Sequence, residues 1–118
     1  MNTVAQMASS QVVKKYRIDV SVTDNGDKWP AISVTINGRA EKWTLPYATN
    51  HMVYYLAVHR CALEAAIAGA HQAEFDIGDE TVRRHWKKGH EKSTRQTAAM
   101  FEALKQVAVC LPGGIDFV

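Results

Sequence analysis

Residues 16 to 45 alternate apolar with polar side chains in short runs, and this alternation constrains the fold more than any other feature of the sequence. A period of two places every second side chain on the same face of a β-strand, so each run can bury one face and expose the other. Asn37-Gly38 separates the second run from the third, and both residue types adopt the positive φ angles that a two-residue hairpin turn requires. The pattern predicts a three-stranded antiparallel meander. Its alternating apolar residues are Tyr16, Ile18, Val20 and Val22, then Ile32, Val34 and Ile36, and its third strand runs from about Glu41 to Leu45.

After Pro46 the apolar spacing lengthens to three or four residues. Thr49 or Asn50 can cap a helix from about His51 to Ala70, because both side chains accept hydrogen bonds from the first helical turn. A strand over 73–77 follows, then a short helix between a capping Asp79 and Gly89, a helix with a capping box at Ser93, and a last strand over 115–118. The order is a meander and then helix-strand-helix-helix-strand. It predicts an α/β fold (α+β, with a mixed sheet) whose helices pack against the sheet.

The composition indicates one domain with a core of its own. The chain has 118 residues, of which 47% are hydrophobic and 22% charged, and it contains two cysteines, which suits reduced thiols rather than a disulfide scaffold. We expect residues 1–15 to form a flexible N-terminal arm and residues 16–118 a single domain. No apolar run reaches the roughly 18 residues of a membrane span, and the first ten residues lack the features of a secretory signal. These features predict a cytoplasmic protein without a membrane partner.

Positive charge is concentrated in residues 82–95, although the net charge of the chain is only +2. Six of the 14 basic residues and one of the 12 acidic residues lie there, so the segment carries +5 and the remainder −3. Basic side chains interleaved with an aromatic residue favour phosphate contact with stacking on a base, and a solvated helix end is the alternative interpretation. The candidate binding residues are Arg83, Arg84, Trp86, Lys87, Lys88, His90, Lys92 and Arg95.

Two phrases of the sequence, together with the order of the elements, resemble the ribonuclease H-like fold. The run TNHMVYYLAVHRCALEAA (residues 49–66) is similar to the family's first long helix, which opens on a Thr-Asn phrase and continues to an Ala-Leu-Glu-Ala phrase. The run GDETVRRHWKKG (residues 78–89) is similar to the turn after strand four and the basic helix behind it. The resemblance covers residues 16–118 and implies that the Trp-Lys-Lys phrase lies in the basic protrusion that touches duplex backbone in some members.

The same resemblance implies an acidic site, because nucleases of this family hold two Mg²⁺ ions about 4 Å apart between carboxylates. The carboxylates come from strand one, the first helix, the residue after strand four and a late helix. Asp19 or Asp24 would supply the carboxylate of strand one. Asp79, or Asp76 after a change of register, would supply the one after strand four. Asp19 and Asp79 are the candidate catalytic residues, and all four acids are candidate metal ligands. Counting back from the Ala-Leu-Glu phrase places Tyr55 at the helix position, and a phenol with a pKa near 10 is a poor Mg²⁺ ligand. The structural alternatives are helix capping by Asp79 and an exposed strand position for Asp19.

Histidine and cysteine suggest no further site. The five histidines do not have the spacing of a zinc site. Cys61 falls in the middle of an alanine-rich helix, which favours a core position over a role as a nucleophile.

Three functional hypotheses remain. The first is a non-catalytic binding or regulatory protein on a ribonuclease H-like scaffold, without a cofactor, that contacts nucleic acid or an acidic protein surface, in the style of accessory or inhibitor proteins of phages and mobile elements. The second is an enzyme, a divergent Mg²⁺- or Mn²⁺-dependent nuclease. The third is a homo-oligomeric assembly protein, such as a homodimer, that pairs through a sheet edge or the alanine-rich helix. The missing helix carboxylate favours the first hypothesis.

Overall fold

The structure, a computed structural model, describes residues 12–24, 27–89 and 94–118. Five strands and three helices lie within these ranges: β1 (Val13–Thr23), β2 (Ala31–Ile36), β3 (Arg39–Trp43), α1 (Asn50–Ile67), β4 (Gln72–Ile77), α2 (Glu80–Lys88), α3 (Arg95–Val109) and β5 (Gly114–Phe117). The strands form one sheet in the order β3-β2-β1-β4-β5. Strand β1 pairs antiparallel with β2 and parallel with β4. This arrangement confirms the predicted α/β fold with a mixed sheet.

The strand boundaries differ from the predicted ones by one residue in β4 and β5 and by more in β1 and β3. Strand β1 begins at Val13, because residues 13–15 pair with residues 72–74 of β4; the end of the expected N-terminal arm therefore belongs to the sheet, while residues 1–11 lie outside the described residues. Strand β3 begins at Arg39 because the two-residue turn pairs Ile36 directly with it. The turn itself has the predicted geometry, with φ angles of 51° at Asn37 and 83° at Gly38.

The helix caps explain where α2 and α3 begin. Asp79 caps α2, and Gly89 ends it with a φ of 80°, as the sequence predicts. Helix α3 is capped by Thr94 instead of the predicted Ser93, which lies outside the described residues. The hydroxyls of Thr94 and Thr97 each accept the other residue's backbone N–H at 3.1 Å. This reciprocal pair satisfies two N–H groups that a helix start would otherwise leave unbonded.

One face of the sheet packs against helices, and the other face is exposed. Ile18, Val34 and Phe75 are completely buried, whereas Arg17 and Asp19, which flank Ile18 in β1, are exposed. Helix α1 adds its apolar side chains to the same core, and α3 packs beside α1. Within the described ranges, no helix has both the length and the apolar character to cross a membrane. The even-numbered residues of β1 therefore face the helices, and the odd-numbered ones face away from them.

Truncation of Phe75 should destabilise the fold strongly, because its ring is fully buried between Tyr16 (ring centroids 5.3 Å apart) and Phe117 (5.6 Å). We expect Phe75→Ala to lower the free energy of unfolding by about 3–5 kcal/mol, measured by urea denaturation. Ile67→Ala is the matched control, because Ile67 is 80% exposed, and it should change the free energy by less than about 0.5 kcal/mol. Equal losses in the two variants would contradict this description of the core.

Candidate functional site

Asp79 lies where the end of β4 meets the first turns of α1 and α2. One carboxylate oxygen, Oδ1, accepts the backbone N–H groups of Thr81 at 2.7 Å and Val82 at 3.1 Å. The other oxygen, Oδ2, lies 3.4 Å from Nδ1 of His51 in α1. Both oxygens are therefore engaged in joining the two helices, which is the capping role that the sequence offers as the alternative to metal binding.

The surroundings of Asp79 favour its charged form. Burial alone would raise the pKa of this carboxyl, but the hydrogen bonds from His51 and from the N–H groups of Val82 and Thr81 outweigh burial and place the pKa below its usual value. The carboxylate therefore carries its negative charge at the start of α2, where the helix dipole also favours an anion.

The side chain of α1 that faces both β1 and the end of β4 is Tyr54. Its hydroxyl accepts the backbone N–H of Val20 at 3.2 Å, and a Cβ placed on Gly78 would lie 2.9 Å from the same oxygen. Tyr55, to which the Ala-Leu-Glu phrase points, contacts the rings of His51 and Phe101 instead. Counting forward from the helix cap would have found Tyr54. In either count a phenol stands where the resemblance implies a carboxylate.

The structure places Asp19 on the other face of the sheet from Asp79. The β1 residue that faces Tyr54 is Val20, and its neighbour Asp19 lies on the exposed face. There Arg17 forms ion pairs with Asp19 at 3.5 Å and with Asp76 at 2.8 Å. The two strand acids are therefore held together by a cation, on the surface away from the helices.

These residues do not fit the pair of Mg²⁺ ions that the resemblance implies. Tyr54 contacts Val20 and lies against Gly78, which precedes Asp79. Of Val20, Tyr54 and Asp79, only the last carries a carboxylate, and both of its oxygens are engaged. Asp24 follows β1 at an exposed position with a φ of 60°. Across residues 12–24, 27–89 and 94–118, no three His, Cys, Asp or Glu side chains form a group that could hold a metal ion.

A cluster of rings joins α2 to the rest of the core. The ring of His85 lies 5.8 Å from that of His51. Trp86 packs against Phe101 at 5.6 Å and Phe117 at 5.9 Å, and its indole N–H donates to the carbonyl of Ile115 at 3.2 Å. The structure therefore uses Trp86 to attach α2 to α3 and β5, and does not group it with the basic side chains predicted beside it.

The opposite side of α2 carries the basic face, which we define as Arg83, Arg84, Lys87 and Lys88. These residues and Glu80 line a shallow groove of about 340 Å³, because a spacing of three and four residues places them on one side of the helix. Arg83 is half-buried and donates to the carbonyl of Ile77. The other three are exposed, and no carboxylate within the described ranges forms an ion pair with them.

Three other predicted binding residues lie beyond the basic face. Arg95 is exposed as the first residue of α3. His90 and Lys92 lie outside the described residues. The binding role of these side chains, like that of the basic face, stays a prediction.

Cys61 is buried in α1, as the sequence predicts. Burial, together with the charge of Glu64, raises the pKa of its thiol to about 12, so almost none of it is a thiolate at neutral pH. Cys110, at the end of α3, is exposed. Neither position suits a cysteine nucleophile activated by a neighbouring base.

Comparison with solved structures shows that the chain has a ribonuclease H-like fold, as predicted. RNase H1 from the halophilic archaeon Halobacterium salinarum superposes with a TM-score of 0.63 and 13% identity, over 88% of this chain and 83% of that one. LC11-RNase H1 in complex with an RNA/DNA hybrid has a TM-score of 0.64 and 15% identity, over 87% of this chain and 83% of that one. The N-terminal RNase H domain of a Mycobacterium tuberculosis protein has a TM-score of 0.61 and 15% identity, over 88% of this chain and 86% of that one. No protein-family model and no curated protein sequence matches the chain.

Loss of the Asp79 carboxylate should destabilise the protein in a pH-dependent way. We expect Asp79→Ala to lower the free energy of unfolding by about 1–3 kcal/mol at pH 7, because it removes a helix cap and the bond to His51. Since the pKa of Asp79 is lower in the folded chain, its contribution is present above the unfolded pKa of about 3.9. It is lost as the pH falls through the folded value.

Urea denaturation between pH 7 and pH 2.5 measures this effect, with Asp116→Ala at an exposed carboxylate of β5 as the control. The difference in the free energy of unfolding between the parent and Asp79→Ala should become smaller as the medium becomes acidic. A difference that stays constant over this range would show that the charge of Asp79 does not stabilise the fold.

The two cysteines should differ sharply in reactivity. At pH 8 a disulfide reagent should modify the exposed Cys110 quickly. Cys61 should react more than about a thousandfold more slowly than an ordinary thiol, because a pKa near 12 leaves little of it as thiolate. Counting modified thiols before and after denaturation should therefore give one and then two per chain. Rapid modification of the native Cys110→Ser variant would contradict the buried position of Cys61.

Proposed function

We propose that this protein binds nucleic acid through the basic face of α2 and does not cut it by two-metal chemistry. The observation that carries the proposal is the exposed group formed by Arg84, Lys87 and Lys88, which has no carboxylate partner within the described ranges. Cations arranged in this way attract a phosphate backbone and release its counterions on contact.

The geometry of α2 supports a phosphate-binding surface over a merely solvated helix. Trp86 anchors one side of the helix against α3 and β5, so the opposite side is held outward. The hydrogen bond from Arg83 to Ile77 fixes the first turn to the end of β4. A surface that is already in position loses little conformational freedom when a ligand binds. Among the described residues that line the groove, Glu80 is the one acid beside four basic side chains.

The likeness of the fold also supports this proposal. LC11-RNase H1 is a protein of the same fold in complex with an RNA/DNA hybrid. In the present chain, the basic helix that follows the fourth strand offers a means of approaching a nucleic-acid backbone. Fold alone does not determine activity, so the argument depends on the charges of α2.

The donor atoms around Asp79 support the part of the proposal that excludes two-metal cleavage. A two-metal nuclease needs several carboxylate oxygens directed at the scissile phosphate. Here Val20 and Tyr54 supply none, and Asp79 uses both oxygens to hold α1 and α2. We expect no Mg²⁺- or Mn²⁺-dependent cleavage of DNA, RNA or hybrid substrates; metal-dependent cleavage that is lost in Asp79→Asn would overturn this part of the proposal.

Neutralising the basic face should weaken binding and reduce its salt dependence. The variant Arg84→Gln/Lys87→Gln/Lys88→Gln leaves Arg83 in place, because Arg83 bonds to Ile77. At low salt we expect at least about a tenfold loss of affinity for short single strands, duplexes and hybrids, measured by fluorescence anisotropy. The slope of log K against log salt should become shallower by about 0.9 for each duplex phosphate that the variant no longer neutralises.

The matched control is Lys14→Gln/Lys15→Gln/Lys42→Gln, which removes the same charge from exposed positions on the sheet. It should retain most of the affinity and the slope of the parent. Equal losses in the two triple variants would show that only net charge matters. A parent protein that binds no nucleic acid would overturn the proposal in favour of an acidic protein surface as the partner of the basic face.

A further inference from the structure

Two large aromatic side chains are exposed at the end of the molecule where α1 begins. Trp29, in the loop between β1 and β2, is 59% exposed, and Tyr47, in the loop between β3 and α1, is 61% exposed. A backbone hydrogen bond from the N–H of Tyr47 to the carbonyl of Lys28, 3.0 Å long, holds the two loops together. The two rings are therefore carried on adjacent stretches of backbone.

The backbone at Tyr47 is unusual for a tyrosine. Its φ is 54°, in the left-handed region that bulky residues seldom adopt. Ala48, the next residue, is completely buried and anchors the loop, so the conformation of Tyr47 is held by its surroundings while its ring gains little packing. A strained residue with an exposed ring is a reason to look for a function.

The start of α1 connects these aromatics to α2, the helix that carries the basic face. His51 is four positions after Tyr47, a stretch that spans at most about 14 Å of extended chain. The ring of His51 lies 5.8 Å from that of His85, the neighbour of Arg84. A strand of roughly six stacked nucleotides, at about 3.4 Å each, covers a distance of this order.

We infer that Trp29 and Tyr47 stack on unpaired bases, so that the preferred ligand is a single strand or a single-stranded end whose phosphates lie on the basic face. Aromatic rings can stack on any exposed base, whereas the bases of an intact duplex are already stacked on each other. The acidic Asp24 and Asp27 lie in the same loop as Trp29, so stacking, not charge, is the contribution of the pair. This inference rests on the proposed function, because the phosphate contacts come from α2.

The variant Trp29→Ala/Tyr47→Gly tests the inference, since glycine removes the ring at position 47 without opposing its positive φ. We expect about a tenfold loss of single-strand affinity for each ring, with duplex affinity and the salt slope unchanged. The conservative variant Tyr47→Phe should bind as the parent does, because it keeps a ring. Ile67→Ala/Val109→Ala removes two side chains that are 80% and 81% exposed and should change neither affinity.

Tryptophan fluorescence supplies a second measurement on the folded protein. A single strand should quench the emission of the parent, and this quenching should be largely absent in Trp29→Ala, because Trp43 and Trp86 are half-buried and hydrogen-bonded to Glu41 and to the carbonyl of Ile115. Circular dichroism establishes that each variant is folded.

The outcomes separate the inference from the proposed function. If the parent binds with a steep salt dependence and the aromatic variant binds single strands equally well, the inference fails and the proposed function stands. If single strands and duplexes lose affinity equally, the aromatic pair does not recognise unpaired bases and the inference fails. If the parent binds no nucleic acid, both fail, and the two rings are better explained as a protein-docking surface.

Discussion

The parallel register between β1 and β4 is the constraint on which the rest of the structure depends. Pairing of Ile18 with Ile77 brings Val20 alongside the turn that leads into Asp79. It also leaves Arg17 opposite Asp76 on the exposed face, where the two form an ion pair. A shift of one residue would exchange the two faces of β1, so the buried positions of Ile18 and Phe75 also decide which carboxylates can meet. The register thus places Asp19 and Asp76 on the exposed face of the sheet, away from Asp79.

The side chains around Asp79 hold helices and strands together. Asp79 caps α2 and contacts His51 in α1, and the hydroxyl of Tyr54 bonds to the backbone of Val20. These bonds join α1 and α2 to the ends of β1 and β4. The same bonds therefore stabilise this end of the molecule and engage both oxygens of Asp79, while the charges of Arg84, Lys87 and Lys88 stay exposed.

Much of the fold could be predicted from the sequence because local patterns determine local structure. The alternation in β1 and β2, the Asn37-Gly38 turn and the caps at Thr49 and Asp79 all depend on residues close together in the chain, and each has its predicted form. The candidate site was harder to predict, because it depends on contacts between distant residues. The capping role of Asp79 could be predicted from the neighbouring residues of the sequence. Its bond to His51, 28 residues earlier, could not.

By itself, the sequence determined the order of the elements, the mixed sheet, the concentration of charge in α2 and the presence of a tyrosine at the helix position where the resemblance implies a carboxylate. Only the tertiary structure decided that Tyr54 rather than Tyr55 faces the strands, that Asp19 and Asp79 lie on opposite faces, and that Trp86 packs inward. It also decided that Trp29 and Tyr47 share one exposed end. The physical reason is that periodicity and capping act over a few residues, whereas the direction of a side chain relative to a distant one is set by strand register and helix packing.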